Sequence, residues 1–190
     1  MQRFDADAGR NELPANGIYL FFEHGEAVLI DGLALDRIVR VGTHKADGRF
    51  PGRIRDHYRG NRRASVFRRH LGAALLNRDH PGTPRLQTWL AGPRTALPEI
   101  EEWVGDVLRE RFGFACLRVD QPGERLALER GLIALLAQHQ IATPSSDWLG
   151  RHATHAAIRR TGLWNTQHVD APPLSPAESD KVIRLIGEGS

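Results

Sequence analysis

Runs of apolar residues separated by short polar turns dominate the first quarter of the chain and predict β-strands. The first run is rich in aromatic residues, the second follows a polar turn at 24–26, and the third ends in a glycine turn at Gly42. The runs cover residues 17–23, 27–30 and 38–41. Three short strands at this spacing predict an antiparallel meander.

The third run alternates apolar and basic side chains. Successive side chains of a strand point to opposite faces, so Arg37, Val39 and Val41 are expected on one face. Ile38 and Arg40 are expected on the other face. One of the two arginines should therefore lie at an exposed face of the sheet or in a cleft.

Apolar residues that recur every three or four positions predict helices in the rest of the chain. The predicted helices cover residues 52–59, 64–76, 99–111, 123–139, 156–161 and 175–188, with one further strand at 112–119. Ser65 is expected to cap the second helix. Four prolines between residues 77 and 98 predict an irregular insertion.

These elements predict an α+β fold in three parts. Residues 1–15 form a polar arm, residues 16–170 form one domain, and residues 171–190 form a linker and a helical C-terminal extension. A length of 190 residues is typical of one domain with its own core.

Composition narrows the possible function classes. A single cysteine excludes a disulfide framework and a cysteine-rich metal site. The N-terminus lacks an apolar signal region, and no apolar run approaches the roughly 20 residues that span a bilayer. A membrane is therefore not an expected partner, and the cytoplasm is the expected location.

Positive charge is concentrated between Arg37 and His70, although the net charge is only +3. That stretch holds eleven Lys and Arg residues against two acidic ones. Such an excess is typical of a surface that binds a phosphate backbone, and arginine suits forked phosphate contacts. A solvated basic face without a partner is the alternative. The candidates for nucleic-acid contacts are Arg40, Lys45, Arg55, Arg68 and Arg69.

Glu129 lies on or beside the apolar face of the most apolar predicted helix, next to Leu126 and Leu132. An unpaired carboxylate in such surroundings is costly, so it requires a cation or a metal ion. A neighbouring arginine, either Arg125 or Arg130, is the alternative partner.

Four further residues are candidates for chemistry. Arg53 and His57 are four residues apart, so they are expected on one face of a helix. An arginine can neutralise a phosphate, and a histidine can transfer a proton near neutral pH. Tyr19 lies in the first strand, and His44 follows the glycine turn, a loop position that suits a functional site. The ordinary alternatives are a solvated basic helix for the pair and core packing for Tyr19.

The order of these motifs resembles the GIY-YIG endonuclease superfamily. Gly17-Ile18-Tyr19 stands as the first motif and Arg40-Val41-Gly42 as the second. Arg53, His57 and the helix that contains Glu129 then follow in the family's order.

A late segment, residues 162–169, is similar to a motif of bacterial members of that superfamily. Within it, Asn165 is the candidate for the asparagine that ends the family's core, and it joins the candidates for nucleic-acid contacts. The resemblance covers residues 16–170.

The resemblance implies a small antiparallel three-stranded β-sheet flanked by helices. It implies one divalent cation, Mg²⁺ or Mn²⁺, held mainly by Glu129, and a nucleic-acid substrate, with DNA as the expected form. On that basis Arg53 clamps the phosphate, Tyr19 orients or deprotonates the attacking water, and His57 assists proton transfer.

One position departs from the family pattern. Arg40 stands where the second motif has a tyrosine, and an arginine cannot act as a base. Tyr19, His44 or His57 would then have to serve instead, and His44 and Lys45 directly after the turn are the nearest replacements.

The chain is accordingly predicted to be a Mg²⁺-dependent endonuclease. The alternative is a non-catalytic nucleic-acid-binding module on the same fold. A protein-interaction domain with a merely solvated basic face is a third possibility. The sequence leaves the oligomeric state open.

Overall fold

An antiparallel sheet with helices on both faces forms the core of the molecule. The computed structural model describes residues 3–9, 12–91, 97–139 and 143–188. The strands are β1 (Arg3–Phe4), β2 (Gly17–Ile30), β3 (Leu33–Gly42) and β4 (Phe112–Arg118), in the order β1-β4-β2-β3. Three of them are long, and the two-residue β1 extends the sheet at the β4 edge. The predicted α+β class with three main antiparallel strands is confirmed.

The helices follow the predicted order closely. They are α1 (Phe50–Arg59), α2 (Val66–Asp79), α3 (Pro84–Leu90), α4 (Pro98–Arg111), α5 (Pro122–His139), α6 (Ala156–Thr161) and α7 (Pro176–Glu188), with a short 3₁₀ helix at Leu149–His152. Ser65 caps α2 as predicted, because its hydroxyl accepts a hydrogen bond from the Arg68 amide at 3.2 Å. None of the helices in the described ranges is both long and apolar enough to cross a membrane.

The strands connect differently from the predicted meander. The first two predicted strands are one continuous strand, β2, which pairs with β3 in a long hairpin. The expected turn at 24–26 lies inside β2, where a register shift between Phe22 and Ala27 absorbs the extra residues. The third long strand is β4, which lies on the other side of β2.

A second irregularity of the hairpin separates Val39 from Val41. The register moves from Phe21 opposite Arg40 to Phe22 opposite Ile38, which leaves Val39 in a bulge. Val39 consequently belongs to the core on one side of the sheet and Val41 to the core on the other side. The strict alternation predicted for this strand was therefore wrong.

The described part of the proline-rich stretch contains a helix, α3, that the sequence pattern did not predict. Thr83 caps α3 and Pro84 is its first residue, a position where proline costs no hydrogen bond. Trp89 anchors the helix, since its indole is buried and donates a 2.8 Å hydrogen bond to the Arg69 carbonyl oxygen. Residues 92–96 of the predicted insertion lie outside the described residues.

Two apolar cores lie on opposite faces of the sheet. The first joins Tyr19 and Phe21 of β2 to helices α1, α2 and α4. The second joins Ile18 and Leu20 to α5 and α7. Neighbouring residues of β2 thus connect both layers, which makes this strand the centre of the fold.

Two buried carboxylates lie beyond the first core, on the middle of β2. Glu26 accepts hydrogen bonds from the Arg37 guanidinium at 2.6 and 3.0 Å and from the Ser145 side chain. Glu23 forms a 2.9 Å ion pair with Arg111, but neither of its oxygens has a well-aligned hydrogen bond within the described residues.

Burial raises the pKa of Glu23 from 4.5 to about 7, with Arg111 opposing the shift and Glu26 adding to it. The folded state therefore holds a proton that the unfolded chain releases above pH 4.5. This contribution to stability is complete below that pH and is lost as the pH rises through about 7.

Glu23→Gln should remove this pH dependence. In urea titrations from pH 4.5 to 8, the wild-type free energy of unfolding is expected to fall by up to about 3 kcal/mol more than that of the variant. Glu102→Gln, at an exposed position of α4, should keep the wild-type slope. Parallel pH profiles for wild type and Glu23→Gln would contradict this account.

Candidate active site

A cleft of about 490 Å³ opens where the first-motif end of β2 meets the glycine turn after β3. Helices α1 and α5 supply its flanks. Its walls include Tyr19, Arg40, Arg53 and Glu129, which come from four separate elements. The sequence-predicted tyrosine, phosphate-binding arginine and acid are thus brought to one cavity.

Tyr19 and Gly42 form a steric pair at the floor of the cleft. They lie opposite each other in the β2–β3 register. A β-carbon on residue 42 would lie 2.1 Å from the Tyr19 hydroxyl oxygen, so only glycine leaves space for this ring. Tyr19 is 1% exposed, and its ring packs edge-on against His57 with the ring centroids 5.0 Å apart.

The glycine turn ties the two predicted motifs together. The Thr43 hydroxyl donates a 2.6 Å hydrogen bond to the Gly17 carbonyl oxygen. The Gly17 amide in turn donates to His44 Nε2 at 3.2 Å. The Thr43 amide donates to Glu129 Oε1 at 3.1 Å, so the turn also holds the carboxylate.

Glu129 is half-buried and faces the cleft from α5. Burial raises the pKa of its carboxyl group, while the charges of Arg40 and Arg53 and the Thr43 hydrogen bond lower it. Its Oε2 atom has no hydrogen-bond partner within the described residues. The alternative partners considered above do not hold it: the buried Arg125 pairs with Asp47 at 3.1 Å instead.

Two guanidinium groups share the cleft with Glu129. Arg53 is half-buried and donates to the Ala64 carbonyl oxygen at 2.7 Å. Arg40 is 8% exposed and donates to the Trp164 carbonyl oxygen at 2.6 Å. Its guanidinium carbon lies 5.1 Å from the centre of the Phe67 ring, and its Nε has no partner in the described part of the chain.

The two predicted histidines are in structural positions. His44 Nε2 accepts from Gly17, so its Nδ1 carries the proton and donates to the Ala46 carbonyl oxygen at 2.8 Å. Burial, aided by the charge of Arg125, lowers the pKa of His44. Both ring nitrogens of His44 are therefore hydrogen-bonded to backbone groups.

His57 lies behind Tyr19 rather than in the cleft. It is fully buried, and its Nδ1 is 2.8 Å from the Ser65 hydroxyl. Burial, with help from Arg53, lowers its pKa well below the usual value, so the ring is neutral. Arg53 and His57 were expected to point into the same site from one helix face. Arg53 does line the cleft, whereas the His57 ring packs behind Tyr19.

The predicted basic surface is smaller than the charge count indicates. Four of the eleven basic residues between positions 37 and 70 are buried: Arg37, Arg40, Arg62 and Arg68. Arg68 pairs with Glu101 at 3.3 Å and donates to the His57 carbonyl oxygen at 3.1 Å. Its guanidinium therefore joins helices and is not available to a nucleic acid.

The other predicted contact residues are distributed around the surface. Lys45 is exposed at the cleft, Arg55 is exposed outside it on α1, and the exposed Arg69 donates to the Leu90 carbonyl oxygen at 2.7 Å. Asn165 borders the cleft, but its amide is bound to the Val41 backbone by two hydrogen bonds of 3.0 and 2.8 Å. Its side chain therefore holds β3 in place.

Several cleft residues were not predicted as site residues from the sequence, among them Thr43, Arg49 and His168. Thr43 directly follows Gly42, the glycine of the second motif. Its position in the sequence could therefore have indicated that it belongs to the site. Arg49 is exposed in the loop before α1 and was counted only as part of the basic excess. His168 lines the cleft with a positive φ of 64°, a backbone feature that the sequence alone does not reveal.

Comparison with protein families agrees with this geometry. A family model described as the GIY-YIG domain matches residues 1–188. The chain belongs to the GIY-YIG family. Searches of curated proteins and of solved structures return no match.

GIY-YIG proteins are in general nucleases, and they typically use divalent metal ions. No group of three or more His, Cys, Asp or Glu side chains within the described ranges could enclose a metal ion. Magnesium, however, is commonly bound by one or two carboxylates, with water and substrate phosphate completing the set. A half-buried Glu129 with one uncommitted oxygen fits this mode.

Proposed function

We propose that this GIY-YIG protein is a metal-dependent endonuclease that hydrolyses phosphodiester bonds of DNA. The observation that carries the proposal is the convergence of Tyr19, Arg53 and Glu129 on one cleft. Tyr19 and Glu129 are more than one hundred positions apart in the chain, yet the glycine turn links the strand of Tyr19 to Glu129.

Glu129 is the residue that would hold the divalent cation, Mg²⁺ or Mn²⁺. A bound cation would neutralise charge on the scissile phosphate. The Thr43 amide leaves one carboxylate oxygen for this contact and fixes the direction of the other. The rest of the binding set would come from water and from the substrate.

Arg53 and Arg40 bind the phosphate in this proposal. Both lie on the cleft wall with Glu129, and the positive charge of each lowers the pKa of that carboxyl group. Arg40 occupies the tyrosine position of the second motif and replaces a hydroxyl group by a cation. The cleft can therefore stabilise additional negative charge, as phosphoryl transfer requires.

Tyr19 orients the attacking water in this proposal. Its hydroxyl oxygen lies against Gly42, and its ring packs edge-on against the ring of His57. His44 and His57 support the site indirectly: His44 fixes the glycine turn and His57 fixes the tyrosine ring. Lys45 and Arg49 are exposed at the mouth of the cleft and would contact the flanking phosphates.

The test is a cleavage assay with purified wild-type protein. Supercoiled plasmid, branched DNA and a matched RNA are incubated with Mg²⁺, Mn²⁺, Ca²⁺ or EDTA. Cleavage of DNA that requires Mg²⁺ or Mn²⁺ is expected.

Two outcomes would contradict the proposal. Salt-dependent DNA binding without cleavage in any divalent metal would indicate a binding module in which Arg40 marks lost chemistry. No binding to nucleic acid at moderate salt would indicate a protein-interaction domain.

A further inference from the structure

Hydrolysis of a phosphodiester needs a proton for the leaving oxygen, and the predicted histidines are poorly placed to supply it. Both nitrogens of His44 are bound to backbone groups. His57 is fully buried behind Tyr19. Arg40 cannot exchange its proton near neutral pH. A histidine that acts as the donor would therefore have to lie elsewhere on the cleft wall.

His168 is a histidine of the cleft wall whose side chain is exposed. Its backbone has a φ of 64°, and Asp31 in the β2–β3 turn is the one other non-glycine residue with positive φ in the described ranges. A residue with a β-carbon adopts this conformation at a cost of about 1 kcal/mol or more, and such positions cluster at functional sites.

The loop that carries His168 is anchored at both ends. On one side the Asn165 amide holds the Val41 backbone of β3. On the other side Gln138 of α5 donates to the Ala171 carbonyl oxygen at 2.7 Å, and the Ala171 amide closes a turn onto the His168 carbonyl oxygen at 3.2 Å. The loop thus spans from the strand of the glycine turn to the helix of Glu129.

We propose that His168 is a catalytic residue that donates a proton to the leaving oxygen of the scissile phosphodiester. This inference rests on the proposed function. The water oxygen forms a bond to phosphorus, and the bond between phosphorus and the leaving oxygen breaks. The His168 proton passes to that oxygen, the proton of the water passes to solvent, and solvent reprotonates the ring.

Other charged and titratable groups face the same cleft and contribute to any pH dependence. They are Tyr19, Arg40, His44, Lys45, Arg49, Arg53, Asp56 and Glu129 on the cleft walls, with the Arg160–Asp170 ion pair beside the loop. The role of His168 must therefore be measured as a difference between the variant and the wild type. Two substrates whose leaving groups differ in their need for a proton provide that difference, because loss of a proton donor slows only the one that needs it.

The experiment compares DNA with the p-nitrophenyl ester of thymidine 5′-phosphate, whose leaving group departs without a proton. His168→Asn is the variant, because asparagine tolerates positive φ better than most residues. Its cleavage of DNA is expected to fall by about 10²-fold or more, and its cleavage of the nitrophenyl ester by less than about 3-fold.

The controls separate this assignment from the proposed function. His152→Asn, an exposed histidine in the 3₁₀ helix, should behave as wild type on both substrates. Equal losses on both substrates for His168→Asn, with an unchanged melting temperature, would overturn the proton-donor role, and so would no loss on DNA. A wild-type protein that cleaves neither substrate would overturn the proposed function, and the role of His168 with it.

Discussion

Replacing Glu129 with glutamine is expected to lower the rate of DNA cleavage by about 10³-fold. Glutamine keeps the length of the side chain and an oxygen that can accept the Thr43 hydrogen bond. It removes the negative charge, and with it the main ligand that we propose for the divalent cation. Loss of several kcal/mol of transition-state stabilisation corresponds to at least this reduction.

The measurement is the single-turnover cleavage rate over a range of Mg²⁺ concentrations, together with calorimetric Mg²⁺ binding. Glu124→Gln is the matched control, because it makes the same change on the same helix where the carboxylate pairs with Lys181. That control should retain wild-type cleavage. Full activity in Glu129→Gln at low Mg²⁺ concentration would refute the metal-binding role.

Gly42→Ala is expected to destabilise the protein by about 3 kcal/mol and to abolish most cleavage. The added carbon would lie 2.1 Å from the Tyr19 hydroxyl oxygen and 2.4 Å from the ring carbon that bears it. The ring cannot move away freely, because Phe21, Phe50 and His57 pack around it. Denaturant unfolding and the cleavage rate measure the two effects.

Two comparisons make this prediction specific. Gly123→Ala changes a glycine of α5 with open space around its β-carbon position, so its effect on stability should be small. In the background of Tyr19→Ala, the Gly42→Ala penalty should largely disappear, which a double-mutant cycle measures. A penalty that is unchanged without the tyrosine ring would show that the strain lies elsewhere.

Local signals predicted most of the helices correctly. The Ser65 cap and the apolar stripes of α4 and α5 depend on residues three or four positions apart, and such patterns are visible in a sequence. The hairpin was less predictable. His24-Gly25-Glu26 has the composition of a turn, but the flanking residues Phe22 and Ala27 both pair with β3, and a register shift between them keeps the segment inside the strand.

Charge was the least reliable guide to the site. Arg68 belongs to a strongly basic stretch, yet its partner Glu101 lies 33 positions away on another helix. Burial of the His57 ring likewise depends on the aromatic rings of Tyr19, Phe21 and Phe67, which converge only in the folded chain. Contacts of this range are decided by tertiary packing, which local pattern does not encode.

The segment around Trp164 and Asn165 forms hydrogen bonds with the outer side of strand β3. The Trp164 amide donates to the Val39 carbonyl oxygen at 2.7 Å, and the Asn165 amide satisfies both backbone groups of Val41. These bonds cover the outer border of β3, an edge strand whose free peptide groups would otherwise invite pairing with other chains. This late segment therefore occupies peptide groups of an edge strand, and a chain truncated before residue 164 is expected to expose them.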